Sequence, residues 1–242
     1  MVSLILFFLT TTPRAVTAPD AVLSEQRQWE IIEACPKLML TTSGQTKVSV
    51  GSAVCIANIG NTAYLLTADH VVNRSGSIKL EFYTKESYTK GPFATAAREL
   101  DGVYVVHQFR EPDFALLSVA TGSKPLPHLP LAGDGKRPKK FPFEALSVGH
   151  ENGLMSCRAE KVIGKKLGRG LTVQDIAFNW QLAKPTIEGR SGGPLIDSGG
   201  NVIGICVAYK DGRGYATHLD EILAGLKREK KYLHVVENST SR

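Results

Sequence analysis

The apolar residues of this chain fall in short runs that turn-forming residues keep interrupting, which excludes a mainly helical fold. Lys37 to Thr42, Val48 to Ala57, Ala63 to Thr67, Ser77 to Tyr83, Gly102 to Phe109 and Phe114 to Val119 are rich in Val, Ile, Leu, Tyr and Thr. Turn residues part them, as in Asn58-Ile59-Gly60-Asn61 and Arg74-Ser75-Gly76. β-branched and aromatic side chains suit a pleated surface, and Gly and Asn tolerate the positive φ of tight turns, so each run reads as a strand. A second series follows: Ala145 to Gly149, Cys157 to Ile163, Thr172 to Phe178, Gly193 to Asp197, Val202 to Tyr209 and Gly214 to His218. Between the series, residues 122–142 hold five prolines, three glycines and a basic cluster, the composition of a connection between two halves. The class is all-β, with a small barrel or sandwich on either side of a linker.

Helices are expected only at the ends. Ser24 to Ala34 has a capping serine and a partial apolar face of Trp29, Ile31 and Ile32, within an N-terminal segment 19–37. Leu219, Ile222, Leu223 and Leu226 recur at helical spacing, so residues 219–242 read as a closing helix and tail. The apolar run Met1 to Leu9 is too short to span a bilayer. With the small residues Val16-Thr17-Ala18 behind it, residues 1–18 read as a secretory signal segment, which places the protein outside the cell or in a periplasm; without export it is cytoplasmic.

The formal net charge of +6 gathers at Lys136 to Lys140, Lys161 to Arg169 and Lys227 to Lys231. No zinc-finger spacing, aromatic RNA-binding signature or helix-turn-helix pattern accompanies it, so no nucleic-acid partner is expected and the charge reads as solvated surface. The four cysteines, Cys35, Cys55, Cys157 and Cys206, form no C-x-x-C pair. No metal site and no cofactor are expected, and export would allow one or two disulfides in any of three pairings.

The chemistry concentrates in three segments. In Gly189-Arg190-Ser191-Gly192-Gly193-Pro194, glycines around a serine permit a tight backbone that exposes the hydroxyl and turns amides inward. A serine needs a base, and the base needs a third group to hold its tautomer. Among six histidines, His70 stands out: it closes the apolar run Tyr64-Leu65-Leu66-Thr67-Ala68-Asp69-His70 in a small-residue turn. Asp113 lies at the mouth of the apolar run Phe114-Ala115-Leu116-Leu117, where a carboxylate needs a partner and an imidazole N–H can be one.

The segments Leu66-Thr67-Ala68-Asp69-His70-Val71-Val72, Asp113-Phe114-Ala115-Leu116-Leu117 and Gly189-Arg190-Ser191-Gly192-Gly193-Pro194-Leu195, in that order, resemble the three signatures of the chymotrypsin/trypsin superfamily. The chain is most similar to bacterial HtrA/Deg-type members, over about residues 38 to 218, with no PDZ module expected. The resemblance implies two six-stranded antiparallel barrels, 38–121 carrying His70 and Asp113 and 143–218 carrying Ser191, joined by the linker 122–142. It implies a serine endopeptidase acting on protein or peptide substrates, with His70, Asp113 and Ser191 as catalytic residues and the amides of Gly189 and Ser191 as oxyanion hole. It also implies substrate binding by the edge strand Val207, Ala208, Tyr209 and by a pocket lined by residues 185–188 and 206–215. Oligomeric state is not fixed by any of this.

Three positions depart from that pattern. Arg190 stands where secreted digestive members have an Asp that pairs with a freshly cut N-terminus, so it adds positive charge near the oxyanion or anchors a loop. Pro185 stands where an acidic pocket base would confer trypsin-like specificity, so small or medium apolar residues are expected at the cleaved position. Asp69 adds a second carboxylate beside the base, although adjacent strand residues point opposite ways and Asp113 is the better partner. Two rival functions fit parts of the pattern. The Gly-x-Ser-x-Gly elbow of α/β-hydrolases needs a helix after the serine, which Gly192-Gly193-Pro194 opposes. The alternative is a catalytically inactive trypsin-fold binding or scaffold protein: such members usually lose a triad residue and none is lost here, but Arg190 and the unusual pocket keep that reading open.

Overall fold

The computed structural model describes residues 23–42, 48–88, 94–134, 137–151, 154–169 and 176–240. The signal segment expected at 1–18 lies outside them. A helix α1 (Glu25–Glu33) opens the described chain, and the Ser24 hydroxyl caps it by accepting from the Arg27 amide at 3.3 Å. Strands β1 (Lys37–Thr42), β2 (Val48–Ser52), β3 (Val54–Ile59) and β4 (Thr62–Thr67) follow. Next come a single helical turn α2 (Asp69–Val72), β5 (Gly76–Phe82), a second short turn α3 (Lys85–Tyr88), β6 (Arg98–Leu100), β7 (Tyr104–Phe109) and β8 (Phe114–Ala120).

These strands pair as two four-stranded sheets, β2-β1-β5-β6 and β3-β4-β8-β7. β2 runs into β3 through Ala53 alone, and β6 leads into β7. The two sheets therefore share both lateral borders and wrap into one barrel whose six sides are β1, β2/β3, β4, β8, β7/β6 and β5. The continuous run Val48 to Ala57 expected from sequence corresponds to the strand that bends from one sheet to the other. The three-residue strand β6 carried no sequence signal.

The second half is a closed barrel in the order β10-β11-β14-β13-β12-β9, made of β9 (Phe143–Glu151), β10 (Leu154–Arg169), β11 (Ile176–Leu182), β12 (Pro194–Ile196), β13 (Val202–Lys210) and β14 (Arg213–His218). The strand read at Thr172 to Phe178 is displaced: β11 runs from Ile176 to Leu182, and 172–175 lie outside the described residues. β11 is anchored by Trp180, a fully buried ring whose indole N–H donates to the Ile203 carbonyl at 2.7 Å.

Burial explains why some strands alternate and others do not. β5 alternates, with Ile78, Leu80 and Phe82 inward. β8 is buried without a break from Phe114 to Leu117 and β13 from Val202 to Val207, because both faces are covered there. Part of that cover is helical. α4 (Leu219–Arg228) buries Leu219, Ile222, Leu223 and Leu226, and Gly225 lets it approach Phe109 and Phe114, whose rings stack at 4.3 Å. A 3₁₀ turn leads to α5 (Leu233–Thr240), a separate helix where sequence suggested only a tail.

The proline-rich connection is a strap. Leu126, Leu129 and Leu131 are buried along it. Asn58 holds Leu126 through both its amide N–H and its side-chain oxygen, Leu129 N–H donates to Cys55 O, and Ala132 N–H donates to Val202 O. The strap thus sews the first half to the second. All four cysteines are free, and burial raises the thiols of Cys55 and Cys206 to about 12, so both pack as small apolar groups.

Candidate active site

His70 enters the cleft from α2, the turn that ends β4, while Asp113 precedes β8, the strand paired beside β4 with Thr67 opposite Ala115. That pairing brings residues 43 positions apart into contact. The imidazole Nδ1 of His70 lies 2.8 Å from Asp113 Oδ2 and 3.1 Å from Oδ1, and the His70 amide donates to Oδ1 at 3.0 Å. Asp113 is 5% exposed and adopts φ 53°, the left-handed region that a short polar side chain tolerates at a cost of about 1 kcal/mol. The strain aims a buried carboxylate at the ring. With Nδ1–H donated to Asp113, Nε2 is left as the acceptor of the neutral imidazole.

Asp69, also buried, borders this pair. Burial raises its carboxyl first and the neighbouring Asp113 carboxylate second, against a hydrogen bond from Gln108 and the charges of Arg110 and His70. Its Oδ1 makes no hydrogen bond. Asp113, not Asp69, holds the ring; Asp69 and His70 stand on the helical turn α2 rather than on the strand expected from sequence, so alternation along a strand is not what separates the two carboxylates.

Ser191 comes from the loop between β11 and β12. Gly189 and Gly192 there have φ of 89° and 87°. A Cβ on Gly189 would stand 2.1 Å from the His150 carbonyl oxygen, and one on Gly192 would stand 2.1 Å from the Ser52 carbonyl oxygen, so both positions require glycine. The loop is pinned from the first barrel: the Ser52 amide donates to Ser191 O at 2.8 Å, and the Ser52 hydroxyl donates to Gly189 O at 2.8 Å while accepting from the His150 amide at 2.9 Å. Thr67 in turn donates to Ser52 O at 2.7 Å. Among the described residues the amides of Gly189 and Ser191 donate to no backbone or side-chain group, whereas those of Arg190, Gly192 and Gly193 are engaged by Ile187 O, Cys206 O and Arg190 O. The two amides expected to form an oxyanion hole are the ones left over.

His70 and Ser191 line one cleft of about 630 Å³ with Val50, Val71, Thr186, Ile187, Glu188, Gly189, Val207, Ala208 and Tyr209. No hydrogen bond joins Ser191 to His70 among the described residues, where the His70 ring bonds to Asp113. Val207, Ala208 and Tyr209 lie where β13 has passed the end of β12, so among the described residues no strand pairs with their outer edge there, while Ala208 and Tyr209 pair with β14 on the other side and Val207 sits at a bulge. Tyr209 is 68% exposed at the rim. Pro185 stands apart: it is exposed and lines no part of this cleft, and its carbonyl accepts from Arg158. Thr186 lines the cleft instead, and its hydroxyl donates to Ala208 O at 2.9 Å.

Arg190 turns away from the cleft. Its side chain passes into the second barrel and is 1% exposed, where Nε meets Glu151 Oε2 at 3.1 Å. The loop-anchoring role foreseen for it fits this placement; a charge beside the oxyanion does not. Ser52 carried no chemical signature in the sequence, where it is one residue of the run Val48 to Ala57.

A model of the trypsin-like peptidase domain matches residues 51–205. No curated protein matches the chain by sequence. Among solved structures, the active form of the Rv3671c protease from M. tuberculosis is similar over 93% of both chains at 20% identity, with a TM-score of 0.68. The HtrA-type protease AlgW, solved with a tripeptide, is similar over 88% of this chain and 64% of its own at 22% identity, with a TM-score of 0.62. At such identities these structures establish the double-barrel fold, which excludes the α/β-hydrolase reading.

Proposed function

From the membership of this chain in the family of trypsin-like peptidase domains, hydrolases of peptide bonds, we propose that it is a serine endopeptidase with Ser191 as nucleophile, His70 as general base and Asp113 as the group that orients the base. The observation that carries the reading is the buried, doubly bonded contact of Asp113 with His70 beside a cleft that Ser191 also lines. His70 Nε2 takes the Ser191 proton as Oγ attacks the scissile carbonyl. The oxyanion accepts from the amides of Gly189 and Ser191, donors worth about 3 kcal/mol each in comparable sites. Collapse expels the amine, which leaves with the proton from His70, and water then hydrolyses the acyl-enzyme by the same route. Hydrogen bonds between nucleophile and base are often loose without substrate and tighten when it binds.

An extended substrate adds to the free edge at Val207 to Tyr209. The side chain at the cleaved position meets Thr186, Ile187, Val207 and Ala208, with Glu188 and Tyr209 at the rim. A short, mostly apolar wall favours small or medium apolar residues, with loose discrimination because one methylene is worth about 1–3 kcal/mol. Export remains part of the proposal, on the N-terminal segment alone. The test is hydrolysis of a casein-type substrate by the purified protein and by Ser191→Ala: the wild type cleaves and the variant does not. Equal cleavage by both would remove Ser191 from the mechanism, and a peptide library showing strong Arg or Lys preference would refute the pocket reading.

A further inference from the structure

We propose that Arg190 is a positioning residue: its buried guanidinium ties the nucleophile loop to β9 and β10 and thereby sets the two oxyanion amides. The inference rests on Ser191 being the nucleophile. Arg190 lies between the donors, since the Ser191 N–H belongs to the peptide that carries Arg190 O, and the Gly189 N–H lies one residue upstream. Both peptide planes next to the Arg190 Cα are held through backbone groups. Gly189 O accepts from the Ser52 hydroxyl, Arg190 N–H donates to Ile187 O at 3.1 Å, and Arg190 O accepts from Gly193 N–H at 3.0 Å. The side chain adds a further anchor at the Cα between those planes.

That side chain reaches back 43 residues to β9 and 34 residues to β10. Nη1 donates to Ser147 O at 3.0 Å and Ser147 Oγ at 3.2 Å, and Nη2 donates to Ser156 Oγ at 2.5 Å and Ser156 O at 3.3 Å. Nε donates to Glu151 Oε2 at 3.1 Å. A planar fork with five fixed donors can engage these groups together, as an ammonium cannot. The charges around it close a small balanced set: Glu151 pairs with Arg190, and the buried Glu160 accepts from Ser147 Oγ at 2.6 Å and from Arg158 Nε at 2.6 Å. Gly149 on β9 lets the strand's backbone lie against the loop, for a Cβ there would stand 2.9 Å from the Arg190 Cα. The loop is therefore clamped on one side by Ser52 of the first barrel and on the other by two strands of the second. A catalytic constellation must be held to about 0.5 Å, so the clamp bears directly on rate.

The test compares kcat and KM of wild type, Arg190→Met and Arg190→Lys, per folded molecule as judged by circular dichroism. A misplaced oxyanion donor costs about 100-fold in kcat and leaves ground-state binding alone. Arg190→Met should therefore lose about 100-fold in kcat with KM within threefold, and Arg190→Lys should recover only part of the loss. A purely structural role would lower the folded fraction and leave kcat per folded molecule intact; that result, or full recovery by lysine, overturns the proposal. If Arg190→Met does not fold, the double variant Glu151→Gln with Ser156→Ala weakens the anchor instead, by removing the carboxylate charge and the Ser156 hydroxyl while leaving the Ser147 and Ser156 carbonyls; a fall in kcat of about 10-fold supports the proposal and an unchanged kcat overturns it. Amide exchange at Gly192 and Gly193 separates this inference from the peptidase reading. Loss of their protection in Arg190→Met, with β3 and β4 unchanged, upholds the anchor even if the wild type proves inactive, and unchanged protection rejects it.

Discussion

The two sides of the cleft are held by different means. On the side of the first barrel, the working groups touch each other: Asp113 receives the ring and the amide of His70, and neighbouring strands β4 and β8 bring them together. On the side of the second barrel, among the described residues, the Ser191 hydroxyl and the amides of Gly189 and Ser191 make no hydrogen bond; the Ser191 loop is held by Ser52 across the barrel interface and by the Arg190 side chain from within the second barrel. A direct contact between two catalytic side chains fixes one geometry at short range. A loop of glycines has no such contact, so its geometry depends on residues that take no part in the reaction.

This contrast orders the expected effects of substitution. Ser191→Ala removes the nucleophile, and hydrolysis should fall by about 10⁶-fold, read as kcat on a peptide substrate. Asp113→Asn keeps an oxygen for the His70 amide but turns an N–H toward Nδ1, which forces the other tautomer and should lower kcat about 10⁴-fold. A loss below tenfold would mean that the base side does not depend on the carboxylate. Ser52→Ala strikes the other side without touching a reacting group. It removes the hydroxyl that donates to Gly189 O and accepts from the His150 amide, at about 1–3 kcal/mol of stability, and should lower kcat about tenfold with KM nearly unchanged. Loss of stability with full kcat would show that the loop keeps its shape without the interface clamp.

His218→Asn has the smallest expected effect on rate and isolates stability from catalysis. His218 caps α4, accepting from the Asp220 amide at 3.0 Å, and its ring lies 4.0 Å from that of Trp180. Burial lowers its pKa from 6.5 to about 4, Lys165 and Arg137 add to the fall, and Asp220 opposes it. Between those values the unfolded chain binds a proton that the folded chain refuses, so stability is lost as pH falls from 6.5 to 4 and is retained above. The loss should be at most about 3 kcal/mol at about 1.4 kcal/mol per pK unit. Asn keeps a capping oxygen and cannot titrate. Urea unfolding at pH 7 and pH 4.5 should therefore show a smaller drop in the variant than in the wild type; equal drops would assign the acid sensitivity elsewhere.

Much of this was legible because the signals are local. His70, Asp113 and Ser191 each sit in a segment whose neighbours betray a strand end or a glycine turn, and turn residues marked most of the strands. What escaped was non-local. β11 runs on to Leu182, past the Phe178 end expected from sequence, because Trp180 packs under β13, a contact across 23 residues. Residues 122–142 looked like a spacer, yet Leu126, Leu129 and Leu131 make them part of the core. The resemblance puts Pro185 in the pocket, whereas Pro185 is exposed and it is Thr186 that lines the cleft. Ser52 has no motif, since its importance lies wholly in what folding brings to its hydroxyl.

The central claim is that residue 191 carries a hydroxyl activated by His70. Treatment with a fluorophosphonate followed by mass spectrometry of the digest reads that hydroxyl directly, independent of any choice of substrate. A single adduct on Ser191, formed by the wild type and lost in His70→Ala, is the predicted result. A wild-type protein that stays unmodified while folded, or one modified equally with and without the imidazole, would contradict it.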